Sequence, residues 1–249
     1  MNSELVTLKL LIMFRSDKGR ELLRAGAGMS SMPVEIVEAD SAATAQSLLA
    51  NGGIELVLIG AMLPAETKAA TSAAARQAKE KPLVVMVGAD ADNVDTDAVV
   101  DRPNTIEESQ SLVDRCIRAR TQSRVLVVDD SATMRGIVRK ILSASKFPLE
   151  VAEADEGLKA LELMRARSFD IVFLDYNMPG LNGFETLSEL KRGFPKAQVV
   201  IMTSTDNESF ADRARQAGAV AFLKKPFFPA DIDAVLYRFF KLNPPQRKA

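Results

Sequence analysis

The chain has 249 residues, of which 47% are hydrophobic and 26% are charged, and its formal net charge is −1. Such a chain has room for two globular domains and offers no electrostatic case for nucleic acid as a partner. It shows no bilayer-length apolar run and no signal segment, which together with a lone Cys116 predicts a cytoplasmic protein without a membrane anchor. The absence of histidine excludes His-based catalysis and His-ligated metals.

Short apolar runs alternate with helical patterns in the first half, which predicts βαβ units and a parallel sheet. The strand candidates are Leu8–Met13, Val34–Glu38, Leu56–Ile59, Leu83–Val87 and Ala98–Val100. Helices are expected between most of them, with an Ala-rich one at Thr71–Lys79 and an amphipathic one at Ile106–Arg120. A short linker then leads to a new strand, so we expect domains at residues 1–122 and 123–249.

The second half repeats this plan, and its tail at Asn243–Ala249 is expected to be frayed. Its strand candidates are Arg124–Val128, Leu149–Ala152, Ile171–Leu174, Val199–Met202 and Ala221–Leu223. Its helix candidates are Thr133–Ser143, Glu156–Arg165, Glu185–Arg192, Asn207–Gln216 and Ala230–Phe240. Each half is therefore predicted to be a flavodoxin-like, doubly wound α/β domain with five parallel strands in the order 2-1-3-4-5.

The two halves are related by an internal repeat. At an offset of 115 residues, Pro33 falls on Pro148, and Glu38-Ala39-Asp40 falls on Glu153-Ala154-Asp155. Beyond the fourth strand the lengths differ: Gly88 and Val99 are 11 positions apart, whereas the corresponding Thr203 and Phe222 are 19 apart. The fourth helix of the first half should therefore be truncated or absent.

Polar residues follow four strands of the second half at the point where each strand ends. They are Asp129 and Asp130 after the first strand, Asp175 after the third, Thr203 after the fourth and Lys225 after the fifth. The ends of neighbouring parallel strands meet at one sheet edge, so three carboxylates should crowd together and repel unless a cation neutralises them. Carboxylates with open positions suit Mg²⁺, and an added hydroxyl and ammonium favour phosphoryl transfer to a carboxylate.

Each of these residues also has a structural alternative. Taken alone, Asp129-Asp130 would cap the helix that follows, with Ser131 as a rival cap. Taken alone, Thr203 would be a turn residue and Lys225 a solvated surface charge. The occurrence of all of them at successive strand ends favours the functional interpretation.

Four segments of the second half carry a family resemblance. They are V-L-V-V-D-D-S, F-D-I-V-F-L-D-Y-N-M-P-G, I-M-T-S and Q-A-G-A-V-A-F-L-K-K-P-F. Together, from about Arg124 to Leu242, they resemble the CheY-like receiver domain of two-component response regulators.

The resemblance implies roles for the residues that match these motifs. Asp175 would accept the phosphoryl group, and Asp130, Asp175 and the backbone carbonyl of Asn177 would bind Mg²⁺. Asp129 would complete the metal site by orienting a water on the ion.

Further roles follow for the last two strand ends. Thr203 and Lys225 would contact the phosphoryl oxygens, and the peptide between Lys225 and Pro226 would be cis. Phe222 would be an aromatic switch that turns inward when Thr203 moves, with a plain core role as the alternative.

The repeat indicates that the first half has lost this site. Asp129, Asp130, Asp175 and Thr203 correspond to Phe14, Arg15, Gly60 and Gly88. The first half therefore resembles a degenerate receiver, or pseudo-receiver, with an interaction role or a purely structural or dimerising one.

The leading hypothesis is a response regulator that has neither a DNA-binding nor an enzymatic output domain. It would take a phosphoryl group from a histidine kinase or phosphotransfer protein, lose it by autodephosphorylation, and signal through a contact with a downstream protein. A phosphate sink or relay and a constitutive scaffold are the alternatives. A homodimer is left open.

Overall fold

The computed structural model describes residues 7–89, 94–181, 183–204 and 208–245. It contains two compact units, the first made of Met1–Thr121 with Phe240–Ala249 and the second of Gln122–Phe239. None of the helices described there has the length and apolarity that crossing a bilayer requires.

The first unit is one five-stranded parallel sheet with helices between most strands. Its strands are β1 (Leu8–Met13), β2 (Val34–Glu38), β3 (Leu56–Gly60), β4 (Leu83–Val87) and β5 (Ala98–Val100). Its helices are α1 (Asp17–Gly28), α2 (Ala42–Ala50), α3 (Ala65–Gln77) and α4 (Ile106–Arg120). The strand order is β2-β1-β3-β4-β5, as predicted.

The second unit has the same plan, with one helix more than the described residues of the first unit contain. Its strands are β6 (Ser123–Val128), β7 (Leu149–Ala154), β8 (Ile171–Asp175), β9 (Gln198–Thr203) and β10 (Ala219–Lys224). Its helices are α5 (Ala132–Ser143), α6 (Gly157–Ala166), α7 (Gly183–Gly193), α8 (Glu208–Gln216) and α9 (Pro229–Phe240). The order β7-β6-β8-β9-β10 is again the predicted 2-1-3-4-5, so the fold class is confirmed.

The central strands explain why each sheet forms. Every residue of β3 and of β8 is buried, because helices cover both faces of a doubly wound sheet. Burial of one large aliphatic side chain stabilises the folded state by about 1.5–3 kcal/mol. These continuous apolar runs therefore define the sheet interiors and bring the polar residues that follow them to one edge.

The structure corrects one helix and leaves another start untested. Helix α3 begins at Ala65, six residues before the predicted Thr71, because Pro64 precedes its first turn and Glu66 supplies a favourable acidic residue there. The predicted start of α8 at Asn207 lies outside the described residues. Between β4 and β5 the described residues, 88–89 and 94–97, form no helix, which matches the shorter segment in the first half.

The C-terminal segment was predicted to be frayed, and for its first residues this is wrong. Asn243 forms an antiparallel bridge with Val99 on β5, with N–H···O distances of 2.9 and 3.0 Å. Leu242 is buried, and the Arg115 guanidinium donates to the carbonyl of Lys241 at 2.8 Å. Strand β5 lies at the sheet edge, so its backbone groups need partners, and this segment supplies them. Residues 246–249 lie outside the described residues.

Truncation of the chain after Phe240 should expose the outer edge of β5. We expect the Val99 amide to exchange hydrogen faster than in the full chain, because it loses its acceptor, the carbonyl of Asn243. Residue-resolved hydrogen exchange by NMR measures this. The Ala61 amide, which donates to Val87 between β3 and β4, is the internal control. Unchanged exchange at Val99 would contradict the expectation.

Candidate functional site

The carboxyl ends of β6, β8, β9 and β10 bring the predicted residues of the second unit to one edge. In the strand register Val128 pairs with Leu174, Asp175 with Met202, and Thr203 with Lys224. Asp129 and Lys225 each follow directly after a paired position. Parallel pairing thus converts four separate sequence motifs into one cluster.

Lys225 is the centre of this cluster. Its ammonium lies 2.8 Å from Asp129 Oδ2 and 2.9 Å from Asp175 Oδ1. The lysine side chain is 18% exposed, and the two carboxylates are 0% and 4% exposed. Lys225 is therefore not a solvated surface charge but the partner of two buried carboxylates.

Three carboxylates form the acidic part of the site. Asp129, Asp130 and Asp175 each place one oxygen so that all three oxygens lie within 4.8 Å of one another. Asp130 is exposed, whereas the other two are buried. Two oxygens on opposite sides of one Mg²⁺ are about 4.2 Å apart, so the cluster fits a small hard cation after slight contraction.

The electrostatics of Asp175 reflect burial and its neighbours. Burial raises the pKa of Asp175, the Lys225 ammonium opposes this increase, and the nearby Asp129 adds to it. Burial alone would lower the pKa of Lys225, but its hydrogen bonds and ion pairs with Asp129 and Asp175 prevail and raise it. The Lys225 ammonium thus stays charged at neutral pH. Ionisation of Asp175 costs free energy of folding, and a cation bound at the site would reduce that cost.

Local structure holds the first pair of aspartates. The Ser131 amide donates to Asp129 Oδ1 at 2.9 Å, and the Ser131 side chain accepts from the Met134 amide at the start of α5. Ser131 is therefore the helix cap, and the alternative in which the aspartates cap α5 is wrong. This leaves Asp130 exposed for a ligand.

The backbone around Asp175 is held by close packing. A Cβ on Gly183, at the start of α7, would lie 2.4 Å from the carbonyl oxygen of Asp175, so only glycine fits there. The Asn177 amide lies 3.4 Å from Asp175 Oδ1, and its side chain donates to Ser204 Oγ at 3.2 Å. Asn177 thus lies at the predicted edge of the sheet. The role of its carbonyl as a metal ligand stays a prediction.

Thr203 and Phe222 lie on the neighbouring strands. Thr203 is buried at the end of β9, and its carbonyl accepts from the Lys225 amide at 2.8 Å, so it does not lie in a solvated turn. Phe222, on β10, is half-buried and packs against the core, with the Arg215 guanidinium 5.4 Å from its ring centroid. The cis peptide between Lys225 and Pro226 is confirmed.

Two contacting residues were missed from the sequence. The Arg135 guanidinium donates to the carbonyl of Asp129 at 2.7 Å and lies 3.2 Å from Glu153. The internal repeat contained a signal for them, because Arg20 and Glu38 stand at the same offset in the first half. Only the comparison between the two halves contains this signal, because the strand-end motifs include neither Arg135 nor Glu153.

The first unit has a different composition at the equivalent edge. The Phe14 ring lies over Gly60, where an added Cβ would come within 2.9 Å of the ring. Lys68, on α3, is 1% exposed, and its ammonium donates to the carbonyl of Ala61 at 3.2 Å. Among the residues that the structure describes, one group of three or more side chains could hold a metal, and it is the acidic cluster of the second unit.

Substitution of Asp175 by Asn should stabilise the metal-free protein at neutral pH. The raised pKa of Asp175 means that folding opposes its ionisation, so wild-type stability falls as pH rises through the range between the unfolded and folded pKa values. Asn removes this cost. We expect the variant to have the higher melting temperature at pH 7 in chelator, with the difference shrinking as pH falls through the folded pKa and vanishing below the unfolded value of about 3.9. A more stable wild type at pH 7 would show instead that the ion pair with Lys225 outweighs burial.

Comparisons with known proteins identify the second unit. The family model for the response regulator receiver domain matches residues 125–237. Chemotaxis protein CheY of Bacillus subtilis is 38% identical over 104 residues, covering 42% of this chain and 86% of that protein. Chemotaxis protein CheY of Thermotoga maritima is 34% identical over 119 residues, covering 47% of this chain and 98% of that protein.

Two further matches differ in how much of their own length is covered. A protein-glutamate methylesterase/protein-glutamine glutaminase of Burkholderia thailandensis is 39% identical over 107 residues, which cover 30% of that protein. A solved structure of a probable two-component system response regulator/GGDEF domain protein matches 94% of this chain and 98% of its own, with 22% identity and a TM-score of 0.58. At that identity the match demonstrates a shared fold.

The family model and the two CheY relatives, which are covered over 86% and 98% of their own length, match the second unit. The chain therefore belongs to the response regulator receiver domain family.

Proposed function

We propose that this response regulator accepts a phosphoryl group on Asp175 with Mg²⁺ bound at the acidic edge. The observation that carries the proposal is the Lys225 ammonium held between Asp129 and Asp175, beside the three-carboxylate cluster. A buried carboxylate with a fixed cation and a cluster of oxygen ligands suits phosphoryl transfer better than a structural ion pair. A purely structural pair would not need the exposed third carboxylate.

Asp175 acts as the nucleophile in the proposed reaction. One of its carboxylate oxygens attacks the phosphorus of a phosphohistidine, the P–N bond breaks, and the bonding electrons leave with the imidazole of the donor. Lys225 and Thr203 hold oxygens of the transferring group, by charge and by a hydroxyl hydrogen bond. Mg²⁺ would be held by Asp130, Asp175 and the Asn177 carbonyl, with Asp129 orienting a water at the site, and would offset negative charge on those oxygens.

The phosphoryl donor is proposed to be another protein. The 249 residues contain no histidine, so a histidine kinase or a histidine phosphotransfer protein supplies the phosphohistidine. Such an exchange takes place in the cytoplasm. The output is a contact with a downstream protein, biased by movement of Thr203, α8 and Phe222 after phosphorylation.

The first unit is proposed to be a pseudo-receiver that takes no phosphoryl group. Phe14 replaces a metal-binding aspartate, and its ring fills the space in which a side chain at position 60 would lie. We propose a tandem arrangement, with residues 1–122 as the degenerate copy and 123–249 as the phosphorylatable one. The role of the first unit would be to bind a partner or a second copy of the chain.

Incubation with Mg²⁺ and acetyl phosphate should add one phosphoryl group per chain. We expect an intact-mass increase of one adduct in wild type and in the surface control Asp155→Asn, but none in Asp175→Asn. Slow decay of the adduct would favour a switch, and rapid decay a phosphate sink or relay. An adduct that persists in Asp175→Asn would contradict the assignment of the acceptor.

Mg²⁺ titration should reveal one site per chain. We expect Asp130→Asn to weaken binding strongly, because it removes an exposed carboxylate ligand without changing the buried pair. Isothermal titration calorimetry measures the stoichiometry and the affinity. Asp17→Asn, at an exposed position of the first unit, should bind Mg²⁺ as wild type does. Two sites per chain would argue against a degenerate first unit.

A further inference from the structure

We propose that Arg135, oriented by Glu153, is a positioning residue for the acidic edge. Its guanidinium holds the backbone of both Asp129 and Asp130 and thereby sets the direction in which their carboxylates project. This inference rests on the proposed function, because it concerns the Mg²⁺ site of that reaction. We call the Arg135–Glu153 pair with its two carbonyl contacts the clamp.

The clamp contacts lie directly behind the site. Arg135, on α5, places Nη1 2.7 Å from the carbonyl oxygen of Asp129 and 3.3 Å from that of Asp130. These two carbonyls flank the turn between β6 and α5. Because one nitrogen contacts both, rotation of either peptide plane would lose a hydrogen bond to a charged donor.

Glu153 fixes the other side of the guanidinium. Its Oε2 lies 3.2 Å from Arg135 Nε, and its Oε1 lies 3.3 Å from Arg139 Nε. Glu153 sits on β7, where it pairs in register with Val127, two residues before Asp129. The planar guanidinium is thus held along two edges, with the Arg135 side chain only 16% exposed.

The contribution of the clamp is orientation more than charge. Arg135 donates to the backbone carbonyls of Asp129 and Asp130, and the carboxylate it pairs with is that of Glu153. The peptide planes of Asp129 and Asp130 determine where two metal ligands point. Groups that orient metal ligands typically change metal affinity about 10–100-fold when they are removed.

The first unit carries the arginine–glutamate pair and one of the two carbonyl contacts, without the metal ligands. Arg20 donates to the carbonyl of Phe14 and lies 3.7 Å from Glu38, and these residues match Arg135, Asp129 and Glu153 at the repeat offset. The contact therefore belongs to the fold of both units. Only in the second unit do the carbonyls that the arginine contacts belong to candidate metal ligands. The first unit therefore supplies a matched control for any effect on folding.

The experiment is a titration of the full chain with Mg²⁺ by calorimetry, beside metal-free thermal unfolding. We expect Arg135→Ala to weaken Mg²⁺ affinity by about tenfold or more at unchanged stoichiometry, and Glu153→Gln to weaken it less. Arg20→Ala should bind Mg²⁺ as wild type does. Arg135→Lys, which keeps the charge but not the fork, should also weaken affinity, and it carries the test if Arg135→Ala does not fold.

The outcomes separate the clamp from the proposed function. Wild-type Mg²⁺ affinity in both Arg135 variants, with only a lower melting temperature, would show a structural role and overturn the positioning inference. Equal losses in Arg135→Ala and Arg20→Ala would overturn it as well. If wild type itself bound no Mg²⁺, the proposed function would fail together with the inference.

Discussion

The repulsion between carboxylates at one sheet edge is the constraint on which the second unit depends. Asp129 and Asp175 are buried, and two ionised groups in such a place destabilise the fold unless a cation accompanies them. Lys225, directly after β10, provides that cation. The parallel pairing of β6, β8, β9 and β10 keeps these three groups in contact.

A single fixed ammonium does not satisfy the whole cluster. It contacts two carboxylates and leaves Asp130 exposed beside them, which is why we propose Mg²⁺ as a further cation at this edge. The same arrangement suits a reaction in which negative charge accumulates on transferring oxygens, because the groups are already oriented before the reaction begins. The stability of the edge and its proposed reactivity have one physical origin.

The first unit shows that the fold depends little on the carboxylate cluster. It has the same strand order and the same arginine contact at the end of its first strand, yet a phenyl ring occupies the place of the carboxylate cluster. Replacing charge by an aromatic ring removes the repulsion and fills the space in one step. The sheet edge of β5 instead acquires the C-terminal segment as its neighbour.

Much of this protein was determined by the sequence alone: apolar runs of strand length, their alternation with helices and the polar residues at four strand ends predicted both sheets and the acidic edge. These features are local, so periodicity and spacing record them. Contacts between distant residues were decided only by the tertiary structure. Lys225 reaches Asp129 across 96 positions, Arg135 binds a carbonyl, and Asn243 pairs with β5. Backbone acceptors and edge strands have no side-chain signature, so only the folded chain reveals which group satisfies them.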